Sequence, residues 1–460
     1  MLNNLITLLI IATIVRSIYN FALLYNNTQW LLTSKDKSEI VEYPFVSICI
    51  PVLREQSVIL ETIEHFLKFN YPKDKFKLYI ITTEKEDIDR QKHKKSCQTT
   101  KELIESNLFR YDNTKIIHYP NDNTTATEQI NYGLSEIYNE SGKSDWVAIY
   151  NADSRPNLDT LTLVVQKSIE FEDKHKTKAN IIQQSSLFSL NCNSFSNSPK
   201  DFLAFAGGIW QTKFTLTHEL FLFRTQSCQS IKPKNNFVQE IWNSQTSYCV
   251  GHGMFIRLEY FKSRNFYPTE TLNEDLPFGF YTTILGEPII PLEILENSET
   301  PASIKSLINQ KTVWFSPYLQ YLECRKKCIK DNPKVNRVIL NTITVKALSL
   351  GLLWFFRSFA LVLPLVYSIA MQNLNLFIFW YTSLSLYWLL PSLYILLNLK
   401  NLEQNSGKIV TKLTFLDYLG VLFFGQLNAL LDSVGPILCV TKFIWAIINK
   451  QVVTKPKTER

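Results

Sequence analysis

The chain reads as an α/β domain with a mostly parallel sheet, joined to α-helical transmembrane segments. Three observations predict this. Short apolar runs alternate with helical patterns between residues 43 and 153, in the order βαβαβαβ. Polar residues gather just after the apolar runs rather than within them. Near the end, Ala347 to Met371 and Leu374 to Leu399 are each long enough to cross about 30 Å of hydrocarbon as a helix.

The first strand is Val46-Ser47-Ile48-Cys49-Ile50-Pro51-Val52, and Glu55 to Phe69 follows with Ile59, Ile63, Phe66 and Leu67 on one helical side. Lys77 to Thr82 and Lys115 to Tyr119 are the next strands, Glu128 to Tyr138 is helical, and Trp146 to Tyr150 is the fourth strand. This order predicts a sheet with helices on both faces. Arg54-Glu55, Thr83-Glu84, Asn121-Asp122 and Asn151 with Asp153 then line one edge. Sheets of this kind bind ligands outside the carboxyl ends of their strands. Each segment alone could be a solvated loop; four in succession favour a crevice. No G-x-G-x-x-G or Walker sequence follows a strand, so neither dinucleotide oxidoreduction nor P-loop hydrolysis is supported. Asn191 to Ser198 reads as a loop and Gly207-Gly208 as a second flexible point.

Leu2 to Tyr25 has Arg16 as its only charge. It lacks a basic start and a small-residue cleavage site, which favours an uncleaved anchor over a signal peptide. Among the late apolar segments, Arg357 alone interrupts the first and no charge interrupts the second. Phe415 to Ile448, broken by Asp417, Asp432 and Gly435-Pro436, reads as one span plus a second span or an interfacial helix. Trp354, Trp380, Trp388 and Trp445 suit interface positions. Pro317 to Asn336, with Arg325-Lys326-Lys327, is either a basic amphipathic helix on an anionic leaflet or a solvated linker. The expected organisation is an anchor over 1–34, a globular domain over 35–316, an interfacial segment over 317–345, and transmembrane helices with a cytosolic tail over 346–460.

Formal charge is +7, from 48 basic and 41 acidic residues. The basic stretch Lys85 to Lys101 reads as solvated surface, and no recognition motif accompanies it, so a nucleic-acid partner is not expected. The eight cysteines are widely spread without a C-x-x-C pair, which points to a reducing compartment rather than a disulfide framework. Cys324 and Cys328, four apart, read as packing thiols.

Two acidic features carry chemistry. Asp153 ends the fourth strand's segment, and a hard divalent cation bridging phosphates needs only one or two protein carboxylates. Glu274-Asp275 supplies a second acidic pair at a distance, suited to general-base work. For both Asp153 and Asp275 the structural alternative is a helix cap. His252 stands between Gly251 and Gly253, where backbone and ligand can approach closely, or is a structural loop histidine. Gln310 and Trp314, four apart, share a helix face, with a core tryptophan as the alternative.

In their order these pieces resemble the membrane-bound family 2 glycosyltransferases, whose catalytic domain has the nucleotide-diphospho-sugar transferase fold called GT-A. The segment from Val46 through Arg54-Glu55 resembles the family's opening strand and loop. Ile130-Asn131-Tyr132-Gly133-Leu134 resembles its L-N-x-x-L helix, and Asn151-Ala152-Asp153 stands where its D-x-D metal motif belongs. Gly251-His252-Gly253 and Asn273-Glu274-Asp275 resemble the acceptor loop and the T/S-E-D base motif, and Gln310-Lys311-Thr312-Val313-Trp314 the Q-x-x-R-W motif. The chain departs at Asn151, where an Asp is usual, at Val313, where an Arg is usual, and at Ala126, near the place of a Lys. Glu84 is the nearest counterpart of an Asp that contacts uracil.

The resemblance implies an integral-membrane enzyme transferring a sugar from a nucleotide-diphospho-sugar to an acceptor hydroxyl, with inversion, in polysaccharide or glycolipid synthesis. It implies Asp275 as the base with Glu274 beside it. Pro51, Arg54, Glu55, Glu84, Asn131, Asn151 and Asp153 would bind the donor, and Asp153 would ligate Mg²⁺ or Mn²⁺. Gly251, His252, Gly253, Gln310 and Trp314 would meet a saccharide or lipid acceptor. Membrane lipids are further partners, with the protein in the plasma (inner) membrane and the catalytic domain in the cytosol. The alternatives are a polyprenyl-phosphate sugar transferase and an inactive membrane scaffold with the same fold.

Overall fold

The computed structural model describes the chain except residues 1, 34–37, 93–97, 122–124, 142–144, 193–197, 233–235, 270, 272, 302, 409 and 450–460. His93-Lys94-Lys95, Asp122, residues 193–197 of the expected loop and the basic tail therefore lie outside the described residues. The chain forms two compact units. One combines Ser34–Ser186 with Phe223–Ser298; the other combines Met1–Thr33, Leu187–Leu222 and Glu299–Arg460.

The first unit is built on an eight-stranded sheet. Its strands are β1 (Val46–Pro51), β2 (Phe76–Thr83), β3 (Thr114–Tyr119), β4 (Trp146–Ile149), β5 (Arg155–Pro156), β6 (Ile181–Phe188), β7 (Met254–Arg257) and β8 (Ile289–Ser298). Their order is β3-β2-β1-β4-β7-β6-β8-β5. The four strands expected from the alternating pattern form the parallel half, with β1 between β2 and β4. In the other half β7 runs antiparallel to β4 and β6, and β5 antiparallel to β8. The sheet is thus mixed. Parallel pairing needs long crossovers, which residues 52–145 supply, whereas the later strands join without that constraint.

Apart from Ser47, β1 and β4 are apolar because both faces are covered, so they read as near-continuous runs rather than alternation. The helix Ile59–Leu67 lays Ile59, Ile63 and Phe66 into the core that includes Val46, Ile48, Trp146 and Tyr150. Each such burial contributes about 1.5–3 kcal/mol. The chain moves outward from β1 to β3 and then returns to place β4 on the other side of β1. That reversal opens a crevice at the carboxyl ends of β1 and β4.

The second unit is helical. Among the described residues, four helices are long and apolar enough to cross a membrane: Leu2–Leu32, Arg337–Ala370, Leu374–Asn405 and Phe415–Ile448. The last is two helices, Phe415–Leu430 and Val434–Ile448. Pro199–Phe214 packs with them, buried from Ala204 to Lys213. Gly207-Gly208 is not a flexible point but lies inside this helix. A side chain at 208 would come within 2.3 Å of Thr300 Oγ1 and 2.6 Å of the Phe188 carbonyl, so glycine there serves close packing. Residues 317–331 belong to one helix, Ile304–Asp331, in which Phe315, Tyr318, Tyr321 and Cys324 are buried.

Candidate active site

The register brings Pro51 level with Ile81 and Cys49 level with Ile149, so the segments after β1, β2 and β4 leave the sheet side by side. After β1, Arg54 adopts a left-handed backbone with φ 57°. Its amide donates to the Glu86 carboxylate at 3.0 Å. Glu86, 5 % exposed, also accepts from Gln56 and from the Thr100 amide and hydroxyl at 2.8 and 2.9 Å. Gln129 donates to the carbonyls of Val52 and Ile81, tying the ends of β1 and β2. Pro51, Arg54 and the buried Glu55 are therefore held in one conformation. Glu84 opens a helix after β2, with its carboxylate 3.0 Å from His118 Nε2, while His118 Nδ1 lies 2.9 Å from Thr82 Oγ1. Glu84, Asp87 and His118 place one ligand atom each within 4.8 Å of one another.

The loop after β4 is anchored by the helix that follows β1. The Thr62 hydroxyl reaches the Ala152 carbonyl, and the Arg155 guanidinium donates to Thr62 at 2.8 Å and to the Ser154 carbonyl at 3.0 Å. His65 Nε2 lies 2.7 Å from the Pro156 carbonyl. Burial holds the His65 imidazole below its ordinary pKa, and Arg155 nearby adds to this. The Asn151 amide N–H donates to Ser154 Oγ at 3.3 Å. Asp153 sits half-buried in this loop and caps no helix: the N-cap position of the next helix, Thr160–His175, belongs to Asp159.

β7 starts level with the end of β4, Met254 opposite Ile149. Gly251-His252-Gly253 therefore emerges at the same edge as Asn151-Ala152-Asp153. Gly253 has φ 64°, and a side chain there would come within 2.9 Å of the Gln184 carbonyl. His252 Nδ1 faces the Glu296 carboxylate, which is fully buried on β8 and accepts from Ser186 and Ser298 at 3.0 and 3.1 Å. Gln183 donates to the His252 carbonyl at 2.9 Å. The imidazole is thus oriented through Nδ1.

The acidic pair reaches this loop. A Cβ at Gly251 would lie 3.1 Å from Asp275 Oδ2 and 3.7 Å from Glu274 Oε1. Asp275 is half-buried in the first turn of the helix Asp275–Ile284, with its Oδ1 accepting from the Leu276 amide at 2.8 Å. Glu274 is buried beside Thr127. The helix rests directly on the Tyr248-Cys249 backbone, because a Cβ at Gly279 would come within 2.2 Å of the Cys249 nitrogen. Burial pushes the Cys249 thiol up, with Asp275 adding to it, and burial with Glu274 and Asp275 does the same to the Tyr267 phenol.

Three further expected contributors make contacts with protein. The Asn131 side chain exchanges two hydrogen bonds with the Tyr267 backbone, at 2.9 and 3.0 Å, so its amide is engaged by protein. Gln310 and Trp314 belong to the helical unit; Gln310 accepts from Gln211 at 2.6 Å, and the Trp314 ring lies 6.3 Å from that of Phe188. Glu86, Glu296 and Gly279 shape the site without having been singled out in the sequence. An acid inside the apolar strand Ile289–Ser298 was the available signal for Glu296.

No protein-family model matches the sequence, and no curated protein does. Among solved structures, the chain is similar to a Pyrobaculum calidifontis mannosyltransferase determined with GDP-Man and Mn²⁺. The two are 13% identical over 85% of this chain and 99% of that one, with a TM-score of 0.44. It is also similar to residues 1–349 of S. aureus TarS, 12% identical over 72% of this chain and 89% of that one, with a TM-score of 0.34. The same protein with UDP-GlcNAc gives a TM-score of 0.35 at the same identity and coverage. With every TM-score below 0.5, the functional reading rests on this chain's own residues.

Proposed function

We propose that the protein is an integral-membrane glycosyltransferase of the family 2, GT-A kind, moving a sugar from a nucleotide-diphospho-sugar to an acceptor hydroxyl in polysaccharide or glycolipid synthesis. One observation carries the reading. Asn151-Asp153, Gly251-His252-Gly253 and Glu274-Asp275, far apart in sequence, meet at the carboxyl edge of one sheet. A reaction that needs a diphosphate held at one point and a hydroxyl deprotonated nearby needs carboxylates so arranged.

The donor set around Asp153 fits a hard cation. It offers one carboxylate and an amide oxygen and leaves the remaining positions to phosphates and water. When bound, Mg²⁺ or Mn²⁺ supplies charge neutralisation at the leaving diphosphate. Asp153, with Asn151 beside it, would hold it. Pro51, Arg54 and Glu55 border the nucleoside, and Glu84 is the candidate for contacting its nucleobase. Asn131 acts by fixing Tyr267.

In the transfer itself, the acceptor oxygen forms a bond to the anomeric carbon while the bond from that carbon to the β-phosphate oxygen breaks. The electron pair leaves with the nucleoside diphosphate, and the hydroxyl proton passes to Asp275 Oδ2. Attack from the side opposite the leaving group inverts the anomeric centre. His252, oriented by Glu296, borders the acceptor, and Gly251 keeps the space over Asp275 open. Acceptor roles for Gln310 and Trp314 rest on motif likeness alone.

The test is Asp275→Asn in full-length protein, after a screen of nucleotide sugars has found the donor. The amide keeps the shape but accepts no proton. Turnover should fall by about 10²-fold or more with donor affinity within a few fold. Loss of donor affinity with turnover intact at saturation would remove Asp275 from the chemistry.

A further inference from the structure

The helical unit holds a second polar feature, unrelated to the sheet edge. Arg16 stands midway along the apolar helix Leu2–Leu32, and Arg357 lies within the candidate span Arg337–Ala370. With Lys213, His218, Trp210 and Tyr387 they line an open pocket enclosing about 440 Å³ of empty space, mouth included. No carboxylate lines it.

The neighbouring charges do not balance. Asp432, fully buried, accepts from Lys311 at 2.8 Å and from Arg357 at 2.9 Å, so both its oxygens are used. Lys213, 5 % exposed, donates to the Tyr387 carbonyl and lies 3.7 Å from the centre of that ring. Among the described residues neither Lys213 nor Arg16 has a carboxylate in ion-pair contact. Arg16, Lys213, Lys311 and Arg357 thus share one acid. Charges placed inside apolar helices are costly and mark sites where something of opposite sign binds.

We infer that this pocket binds the phosphate head of a membrane lipid. A phosphate monoester carries about −1.5 to −2 at neutral pH and offers three acceptor oxygens. Two guanidinium forks and an ammonium match that set of acceptors. The surface around Arg16 selects a lipid over free phosphate, since Val15, Ile18 and Tyr19 on the same helix are 62, 57 and 53 % exposed. Their apolar side chains suit acyl chains, with the head turned in toward Lys213. The inference goes beyond the transferase reading and stands or falls independently of it.

The full-length protein, purified in mild detergent, would be titrated by native mass spectrometry with dioleoyl phosphatidic acid, with dioleoyl phosphatidylcholine, and with inorganic phosphate as competitor. Phosphatidic acid should bind at least tenfold more tightly than phosphatidylcholine, and millimolar phosphate should displace it poorly. Arg16→Gln and Lys213→Met should each weaken phosphatidic acid at least tenfold, while Arg337→Gln, at an exposed helix start, should not. Arg16→Gln carries the test should Lys213→Met fail to fold, because it removes no intramolecular ion pair. Equal affinity for the two lipids, or unchanged affinity in Arg16→Gln, would overturn the inference. Displacement by phosphate at the lipid's own concentration would overturn the lipid assignment in favour of a free anion.

Discussion

Gly279→Ala is the sharpest mechanical test of the site. In an isolated helix, alanine is favoured over glycine by about 1 kcal/mol. Here the sign reverses. The added Cβ would stand 2.2 Å from the Cys249 nitrogen and 2.4 Å from the Tyr248 carbonyl carbon and Cα. All three are backbone atoms that cannot rotate away, so helix and strand-loop must part by about 1.2 Å to reach the 3.4 Å of ordinary contact. Overpacking of this kind costs about 1–3 kcal/mol or more. For a unit of about 230 residues, that lowers Tm by about 2–12 °C at 2–4 °C per kcal/mol. The displaced helix begins at Asp275, and a misplacement of about 1 Å costs about 10²-fold in rate. Scanning fluorimetry of full-length protein measures the first effect, and turnover of the donor measures the second. Gly251→Ala makes a useful partner, since its Cβ meets side-chain carboxylates, Asp275 at 3.1 Å and Glu274 at 3.7 Å, rather than backbone. It should lower turnover with little change in Tm. A Gly279→Ala protein with wild-type Tm and turnover would refute the seating of the helix on Tyr248-Cys249.

Asp153→Ala should abolish Mn²⁺-dependent donor binding measured by calorimetry, while His118→Gln should preserve it; the reverse result would move the metal to the Glu84, Asp87 and His118 group. His65, held below its ordinary pKa by burial, binds less proton in the folded chain than in the unfolded one, where it titrates near pH 6.5. Stability is therefore lost as pH falls below about 6.5 and unaffected above it, so Tm should drop more between pH 7.5 and 5.5 in the wild type than in His65→Gln, and parallel pH slopes would contradict this. With the sheet unit in the cytosol, Asp173→Cys in a Cys228→Ser background should react with an impermeant maleimide only after cell lysis.

The parallel half of the sheet was legible because its strands are short runs centred on apolar residues and alternate with helical periods. The other half was not. β6 carries Gln183, Gln184, Ser185 and Ser186, all buried, so it shows neither a run nor an alternation. Gln183, Gln184 and Ser186 find partners in Thr160, Tyr150, His252 and Glu296, which no local pattern announces. Residues 187–222 group with the apolar helices for a related reason. Pro199–Phe214 buries Gln211, Thr212 and Lys213 as well as its apolar residues, and its partners arrive from more than a hundred residues later.

The candidate site divides its carboxylates into two physical kinds, and the division explains what sequence could and could not find. Glu86 and Glu296 are buried, and each accepts several hydrogen bonds from groups 14 to 110 residues away, apart from Ser298 close by. Burying a carboxylate is costly unless it is hydrogen-bonded; both Glu86 oxygens accept bonds, and Glu296 takes its bonds on Oε1. Such acids hold loops: Glu86 fixes the turn at Arg54, and Glu296 aims His252. Asp153 and Asp275 are half-buried at the sheet edge, one in a loop anchored by Thr62 and Arg155, the other on a helix anchored by Gly279. Contiguous motifs revealed this second pair because a group that meets a ligand is placed by its immediate neighbours in sequence. The first pair could be recognised only in the folded chain. Rigid loops set by buried acids, with partly exposed acids at their tips, are what proton transfer and phosphate-bound metal chemistry both require.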